Sequence, residues 1–184
     1  TAYGEMLDGC RRDPKNRIWY APWKMTLKGS QICVGKLGFK GPAKNHSVEV
    51  GYGVLPEQEG NGYASEALMA MAQWAFRQPN VVFVEAETDP ENKASRRVLG
   101  KCGFTPDGMG KEGLRFVLES PLTNWIAVYM CFGISIGMAL GRWQDQMLLG
   151  MAIGISLGVL VGWLLDISEK KKREALRQQR SSHI

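Results

Sequence analysis

The sequence predicts a mixed α+β domain over residues 1–119, followed by a two-helix transmembrane hairpin over residues 125–165. In the first part, segments of alternating apolar residues are interspersed with apolar residues at helical spacing, which indicates strands and helices in one domain. Charged residues make up 22% of the 184-residue chain, yet only Arg142 and Asp145 are charged between residues 125 and 165. This contrast separates a polar domain from an apolar hairpin.

Composition excludes several classes of protein. Hydrophobic residues make up 45% of the chain, which excludes wholesale disorder. The four cysteines form no Cys-x-x-Cys pair and there are two histidines, so we expect neither a metal site nor a disulfide scaffold. Residues 1–20 contain no apolar signal-peptide core, and we expect the chain to be a piece of a longer protein.

The elements of the first part follow from apolar spacing and turn residues. Helices are predicted over 2–12, 63–77 and 92–101. Strands are predicted over 17–27, 31–39, 47–55, 80–87, from 104 up to a turn at 107–113, and over 114–118. In the third strand, Val48 and Val50 face one way and Glu49 and Gly51 the other. After the first helix the predicted order is therefore β-β-β-α-β-α-β-β.

A glycine-containing turn joins the third strand to the next helix. It reads Pro56-Glu57-Gln58-Glu59-Gly60-Asn61-Gly62-Tyr63-Ala64. Glycines allow a ligand to approach the backbone, and the N–H groups and dipole at a helix start favour an anion such as a diphosphate. A plain tight turn is an alternative. A P-loop lacks its Gly-Lys-Ser/Thr ending here, and the turn is too long for a dinucleotide-binding fingerprint, in which Ser65 would replace the third glycine.

Two blocks of sequence resemble the GNAT superfamily of N-acetyltransferases, especially its branch of ribosomal-protein N-terminal acetyltransferases. The first block is Val48-Glu49-Val50-Gly51-Tyr52, the glycine turn and Ser65-Glu66-Ala67; the second is Asn92-x-x-Ser95-Arg96-Arg97-Val98-Leu99 with Cys102-Gly103-Phe104. The resemblance implies a mixed, mostly antiparallel sheet flanked by helices. It also implies that a further strand and helix precede Thr1.

The resemblance implies that acetyl-CoA is the co-substrate and that an amine is the acceptor. Acetyl-CoA would lie in a V-shaped gap between the third and fourth strands. The turn would hold the diphosphate through the backbone N–H groups of Gly60, Asn61, Gly62, Tyr63 and Ala64. Asn92 would bind the pantetheine arm, and it also suits the first position of a helix. A backbone N–H at Val54 or Leu55 is the candidate donor to the thioester oxygen.

Acetyl transfer needs a neutral amine, so a base is required. Glu49 is the candidate base, because it projects beside two glycines that leave room for a ligand; an exposed strand glutamate is the alternative. Ser95 is the candidate acid through its hydroxyl, with an ordinary helix-surface serine as the alternative. Leu99 stands where many family members have a tyrosine acid. Glu57 stands where the family commonly has Gln or Arg, and Glu59 where it commonly has Arg, which predicts weaker coenzyme binding.

The apolar part contains two uncharged segments, 125–141 and 147–165, separated by a polar break at 142–146. Nineteen residues make about 28 Å of helix, near the thickness of a bilayer's hydrocarbon core. A buried hairpin in a soluble oligomer is disfavoured because the helices are apolar all round. Glycines recur at every fourth residue: Gly133, Gly137, Gly141 and Gly150, Gly154, Gly158, Gly162. These glycine-zipper faces are expected to pack together or to pair with other copies in a homo-oligomer.

Residues 120–124 are the predicted linker and residues 166–184 a basic tail. The tail carries Lys170-Lys171-Lys172-Arg173, which suits anionic lipid headgroups. The positive-inside rule places the tail, and with two spans also the N-terminal domain, in the cytoplasm. The net charge of +5 owes much to this tail, and we expect no nucleic-acid partner. Two functions remain: a membrane-tethered N-acetyltransferase, or a membrane interaction and oligomerisation protein with a weak or inactive GNAT-like domain.

Overall fold

A computed structural model describes residues 2–143 and 146–181. The chain forms two compact units, the first ending at Ser120 and the second beginning at Pro121.

Helices and strands alternate in the first unit. Its helices are α1 (Ala2–Arg12), α2 (Tyr63–Phe76) and α3 (Lys93–Lys101). Its strands are β1 (Trp23–Thr26), β2 (Cys33–Phe39), β3 (Ser47–Val54), β4 (Phe83–Thr88), β5 (Thr105–Met109) and β6 (Leu114–Glu119). The predicted order of elements after the first helix is confirmed.

The strands form one mixed sheet in the order β1-β2-β3-β4-β6-β5. Every neighbouring pair is antiparallel except β3 and β4, which are parallel. A parallel pair needs a crossover connection, and α2 supplies it. The mixed, mostly antiparallel sheet that the family resemblance implies is therefore confirmed.

The core lies between the sheet and its helices. Val48 and Val50 of β3 are each 2% exposed, which confirms the face predicted for them. Leu68 and Ala75 of α2 are fully buried, as is Phe83 of β4. Helix and sheet thus bury apolar faces against each other, and this packing fixes where the ends of β3 and β4 lie.

Two predicted elements differ from the structure. The strand expected over 17–27 is a 3-10 helix at Pro14–Trp19 followed by the short β1. The proline favours the helix start, and Trp19 is buried with its ring centroid 4.9 Å from that of Phe39. The turn expected from Asp107 begins later, because β5 continues to Met109 and Asp107 accepts a hydrogen bond from Arg115 at 3.0 Å.

The second unit consists of α4 (Trp125–Trp143) and α5 (Met147–Ser181). A Cβ placed on Gly133 would collide with the carbonyl oxygen of Gly154, and one on Gly137 with that of Gly150. The two glycine faces therefore pack against each other within the chain. The predicted polar break is helical at Arg142, and its residues 144 and 145 lie outside the described part of the chain.

Polar contacts join the start of α4 to α5. The backbone N–H of Trp125 donates to Asp166 at 3.0 Å, and its indole N–H donates to Glu169 at 2.7 Å. Asn124 accepts from the N–H of Ala127 at 3.0 Å. Asp166 and Asn124 thus satisfy backbone N–H groups that a helix start leaves without partners. The hairpin is therefore closed at this end by side chains as well as by helix packing.

Candidate functional site

The parallel strands β3 and β4 separate along their length. They pair at three positions, the last being Glu49 with Glu85. Beyond these residues β3 continues to Val54 and β4 to Thr88 without pairing to each other. A gap therefore opens between the two strands on the carboxyl side of Glu49, where the family resemblance places it.

The backbone of β3 directs alternate polar groups into this gap. The N–H of Lys40 donates to Glu49 O, and the N–H of Leu55 donates to Val34 O, each at 2.9 Å. Odd-numbered residues of β3 therefore direct their N–H and C=O groups toward β2. In an antiparallel pair, successive residues direct their N–H and C=O groups to opposite sides of the strand. Tyr52 and Val54 therefore direct their N–H and C=O groups toward the gap.

This alternation corrects one of the predicted site residues. The N–H of Leu55 already donates to Val34 O, so it cannot serve as a donor to a thioester oxygen. The N–H of Val54 points into the gap and keeps that predicted role. Sequence alone did not separate the two positions. Which residues of a strand direct their N–H groups to one neighbour depends on the register with that neighbour, and the sequence does not show the register.

The glycine turn presents unused backbone donors at the open end of the gap. Gly60 and Gly62 have positive φ values of 79° and 84°, and nothing lies within 4 Å of a Cβ placed on either. Within the described residues, the N–H groups from Gly60 to Ser65 have no hydrogen-bond acceptor in the protein. Asn61 closes the turn through its side-chain amide, which donates to Gln58 O and Glu59 O. The geometry fits an anion with several oxygens.

Two carboxylates lie close to these donors in sequence. Glu57 and Glu59 are both exposed. Water and salt screen exposed charges, so their repulsion of an anion is weakened but is not removed.

Asn92 occupies the N-cap of α3. Its Oδ1 accepts from the backbone N–H of Ser95 at 2.9 Å. The side-chain NH₂ of Asn92 has no acceptor among the residues that the structure describes. The cap interaction and a hydrogen bond to a pantetheine arm are therefore compatible, because they use different atoms of the side chain.

Ser95 contacts Tyr52, a residue of the first resemblance block to which the sequence assigned no role in the site. The two hydroxyl oxygens lie 2.9 Å apart, and the Tyr52 hydroxyl lies 3.2 Å from Ser95 O. Burial raises the pKa of Tyr52, against the opposing effect of the hydrogen bond with Ser95. The phenol therefore stays neutral at physiological pH. Leu99, one turn further along α3, is fully buried and offers no hydroxyl.

Glu49 lies on the opposite face of β3, where it contacts Lys40. The ammonium of Lys40 is 2.5 Å from Glu49 Oε1 and 2.6 Å from Glu112 Oε2. The contact with Glu49 has the distance of an ion pair but not the geometry of a hydrogen bond. Burial alone would lower the pKa of Lys40, but Glu112 and Glu49 together raise it above its usual value. Lys40 thus stays charged and holds the Glu49 carboxylate in place.

The face of the sheet around Glu49 is open and acidic. Nothing lies within 4 Å of a Cβ placed on Gly51 or Gly53, which leaves space beside Glu49. The carboxylates of Glu87 and Glu112 approach that of Glu49, all within 4.8 Å of one another. Lys40 and Glu112 carry no local sequence signal that points to the site. Extending the β2–β3 register by one residue pairs Lys40 with Glu49, so Lys40 could be found once that register was known. Glu112 lies in the loop between β5 and β6, and no nearby residue in the sequence points to its contact with Lys40.

Curated proteins resemble part of this chain in sequence. The uncharacterised N-acetyltransferase YoaA of Bacillus subtilis is 31% identical over 88 residues, which are 47% of this chain and 50% of the relative. The chain spans about half the length of the curated relatives it matches.

Two solved structures have a similar fold. An acetyltransferase from Agrobacterium tumefaciens has a TM-score of 0.53 and 22% identity, covering 65% of this chain and 69% of the other. RimJ of Mycobacterium smegmatis, solved in complex with CoA-disulfide, has a TM-score of 0.51 and 24% identity, covering 64% and 61%. At these identities the likeness concerns the fold.

The family assignment comes from a family model. The model described as an acetyltransferase (GNAT) domain matches residues 4–105, which are more than half of the chain. The matched range includes β3, the glycine turn, Asn92 and Ser95. The chain therefore belongs to the GNAT acetyltransferase family.

Proposed function

We propose that this chain is the catalytic part of a membrane-tethered N-acetyltransferase, which transfers an acetyl group from acetyl-CoA to a primary amine. The amine is that of a protein N-terminus or of a small molecule. The observation that carries the proposal is the run of unused N–H groups from Gly60 to Ser65 at the open end of the β3–β4 gap. The N–H groups of the turn suit a diphosphate, and the gap beside them suits the pantetheine arm of the coenzyme.

Three parts of acetyl-CoA have candidate partners around the gap: the diphosphate, the pantetheine arm and the thioester. Gly60, Asn61, Gly62, Tyr63 and Ala64 would hold the diphosphate through their N–H groups. Asn92 would bind the pantetheine arm, and the N–H of Val54 would donate to the thioester oxygen. Bound acetyl-CoA supplies an activated acyl carbon.

The chain's own groups serve the two ends of the reaction. Glu49 accepts a proton from the attacking amine, directly or through water, from the open space over Gly51 and Gly53. The hydroxyl of Ser95, on the other face of the sheet, donates a hydrogen bond to the departing sulfur. A C–N bond forms as the C–S bond breaks. Glu49 takes the proton that the amine loses, and the departing sulfur gains a proton through the Ser95 hydroxyl, which water reprotonates. Base and acid thus lie on opposite faces of β3, with the gap between them.

Glu49→Gln is expected to lower kcat about 100-fold, because a positioned base contributes at least that factor. The KM for acetyl-CoA should not change, since Glu49 lies on the face opposite Tyr52 and Ser95. Steady-state kinetics with an acceptor found by screening amines measures both constants.

Glu112→Gln is the matched control, because Glu112 contacts the same ammonium of Lys40 from a loop. Its kcat should stay within a few-fold of the wild-type value. Equal losses in the two variants would show that the ion pair, rather than the base, matters and would contradict the role of Glu49.

A second function is favoured by Glu57 and Glu59. Carboxylates beside an anion site weaken it, as expected of a membrane interaction protein whose GNAT-like domain has lost activity. Calorimetry with acetyl-CoA separates the two functions. Heat of binding supports the enzyme, whereas no heat and no thermal shift at millimolar acetyl-CoA would support the interaction protein.

The second unit supports the membrane part of the proposal. The apolar windows of α4 and α5 have mean hydropathies of 1.4 and 2.3, and only 11% of each window is buried within the chain. A core helix of a soluble protein would be mostly covered. Since the glycine faces already pack on each other, a homo-oligomer would have to use the outward faces. Lys170, Lys171 and Lys172 are exposed where α5 leaves the apolar segment and suit anionic headgroups in the cytoplasmic leaflet.

Cysteine labelling tests the tether. Cys131 lies in α4 and is exposed in the isolated chain, so lipid is what would protect it. In membrane vesicles we expect Cys131 to resist a water-soluble maleimide until the protein is denatured. In a Ser168→Cys variant, the new thiol should react when the cytoplasmic side is accessible, because Ser168 is exposed beyond the apolar segment. Equal labelling of both positions in vesicles would contradict a membrane-spanning α4.

A further inference from the structure

The contact between Tyr52 and Ser95 links the two walls of the gap. Tyr52 lies on β3 beyond its last pairing with β4, and Ser95 lies in the first turn of α3, which follows β4. The Tyr52 hydroxyl oxygen is 2.9 Å from Ser95 Oγ and 3.2 Å from Ser95 O. Both side chains are partly buried.

Each hydroxyl has one proton to donate, so the pair has two arrangements. In the first, Tyr52 donates to Ser95 O and Ser95 Oγ–H donates to the Tyr52 oxygen. The Ser95 proton is then used within the pair. In the second, Tyr52 donates to Ser95 Oγ, and the Ser95 proton is free to point at an acceptor in the gap.

We propose that Tyr52 is a positioning residue, which orients the Ser95 hydroxyl so that it donates to the sulfur of the coenzyme. The inference rests on the proposed function, which places that sulfur in the β3–β4 gap. A negatively charged sulfur favours the second arrangement, because the chain Tyr52 O–H to Ser95 O–H to sulfur then runs in one direction. Tyr52 does not itself touch the sulfur; it acts through Ser95.

Two neighbouring side chains are less suited to this role than Tyr52. Leu99, on the next turn of α3, has no polar atom in its side chain. The Cys102 thiol, which also interacts with Tyr52, donates to Ser65 O at 3.5 Å. Burial keeps the phenol of Tyr52 protonated, so it remains a donor throughout the physiological range. The backbone N–H of Ser95 is held by Asn92, which fixes the serine's position in the turn.

The test uses the full chain and free coenzyme A, and it measures ionisation of the bound thiol by its thiolate absorbance across pH. Desulfo-coenzyme A provides the baseline for the protein's own groups. Ser95→Ala should reduce the ionisation constant of the bound thiol about tenfold, since a hydrogen bond to a charged group is lost. Tyr52→Phe should cause a reduction in the same direction.

The double variant tests whether Tyr52 acts through Ser95. Adding Tyr52→Phe to Ser95→Ala should reduce the ionisation constant no further. An equal further reduction would overturn the inference, because Tyr52 would then act on the thiol by another route. Ser95→Thr keeps a hydroxyl at the same position, so its thiol ionisation should match that of the wild type. This variant separates loss of the hydroxyl from a folding defect at residue 95.

The outcomes separate this inference from the proposed function. Absence of coenzyme A binding to the wild-type chain would contradict the proposed function itself. Binding with the same thiol ionisation in the wild type and in Tyr52→Phe would leave the proposed function intact and overturn the role of Tyr52.

Discussion

Gly62→Val is expected to abolish measurable acetyl-CoA binding while leaving the domain folded. Gly62 has a φ of 84° and is the N-cap of α2. A β-branched residue strains that conformation by about 1–2 kcal/mol, so the turn will relax and redirect its N–H groups. Losing two hydrogen bonds to a charged diphosphate corresponds to a weakening of about 100-fold or more. Titration calorimetry with acetyl-CoA measures the loss.

Gly29→Val is the matched control for this prediction. Gly29 has a φ of 88°, is exposed, and has nothing within 4 Å of a Cβ placed on it. The two variants therefore carry the same backbone strain in equally open surroundings, and their melting temperatures should fall by similar amounts. Only Gly62→Val should lose binding. Normal binding by Gly62→Val, or equal loss in both variants, would show that the turn does not hold the coenzyme.

Gly154→Leu is expected to open the helical hairpin. A Cβ on Gly154 would collide with the carbonyl oxygen of Gly133, so the helices must move apart. Overpacking of this kind costs typically about 1–3 kcal/mol and more when backbone is the obstacle. Heat-induced unfolding in detergent, followed by helical circular dichroism, measures the change.

Ala152→Leu provides the comparison on the same helix. Ala152 is exposed two residues before Gly154, so a larger apolar side chain there meets lipid or detergent rather than α4. It should unfold as the wild type does. Gly154→Leu with wild-type stability would mean that the glycine faces do not meet.

Local sequence signals were enough to predict much of the fold. Glycines at residues 60 and 62 and the apolar spacing of α2 predicted the strand-turn-helix unit that exposes the N–H groups. Asn92 after a polar turn predicted the cap of α3, which the hydrogen bond to Ser95 N–H confirms. These features depend on residues close together in the chain, where propensity and spacing are informative.

The remaining features depend on contacts between distant segments. Lys40 reaches Glu49 only through the antiparallel register of β2 with β3. The same register makes the N–H of Leu55 donate to Val34 O. Tyr52 meets Ser95 because α3 follows β4, the strand that separates from β3. Packing of Trp19 against Phe39 likewise overrode the apolar pattern that suggested a strand there.

Hydrogen–deuterium exchange of the full chain, with and without acetyl-CoA, shows whether the glycine turn holds the coenzyme through its backbone N–H groups. The N–H groups from Gly60 to Ser65 have no protein acceptor within the described chain and should exchange quickly when the coenzyme is absent. With saturating acetyl-CoA, the peptide that contains them should become strongly protected, and the peptide around Gly29 should not. Unchanged exchange from Gly60 to Ser65 in the presence of bound acetyl-CoA would show that these N–H groups do not hold the diphosphate.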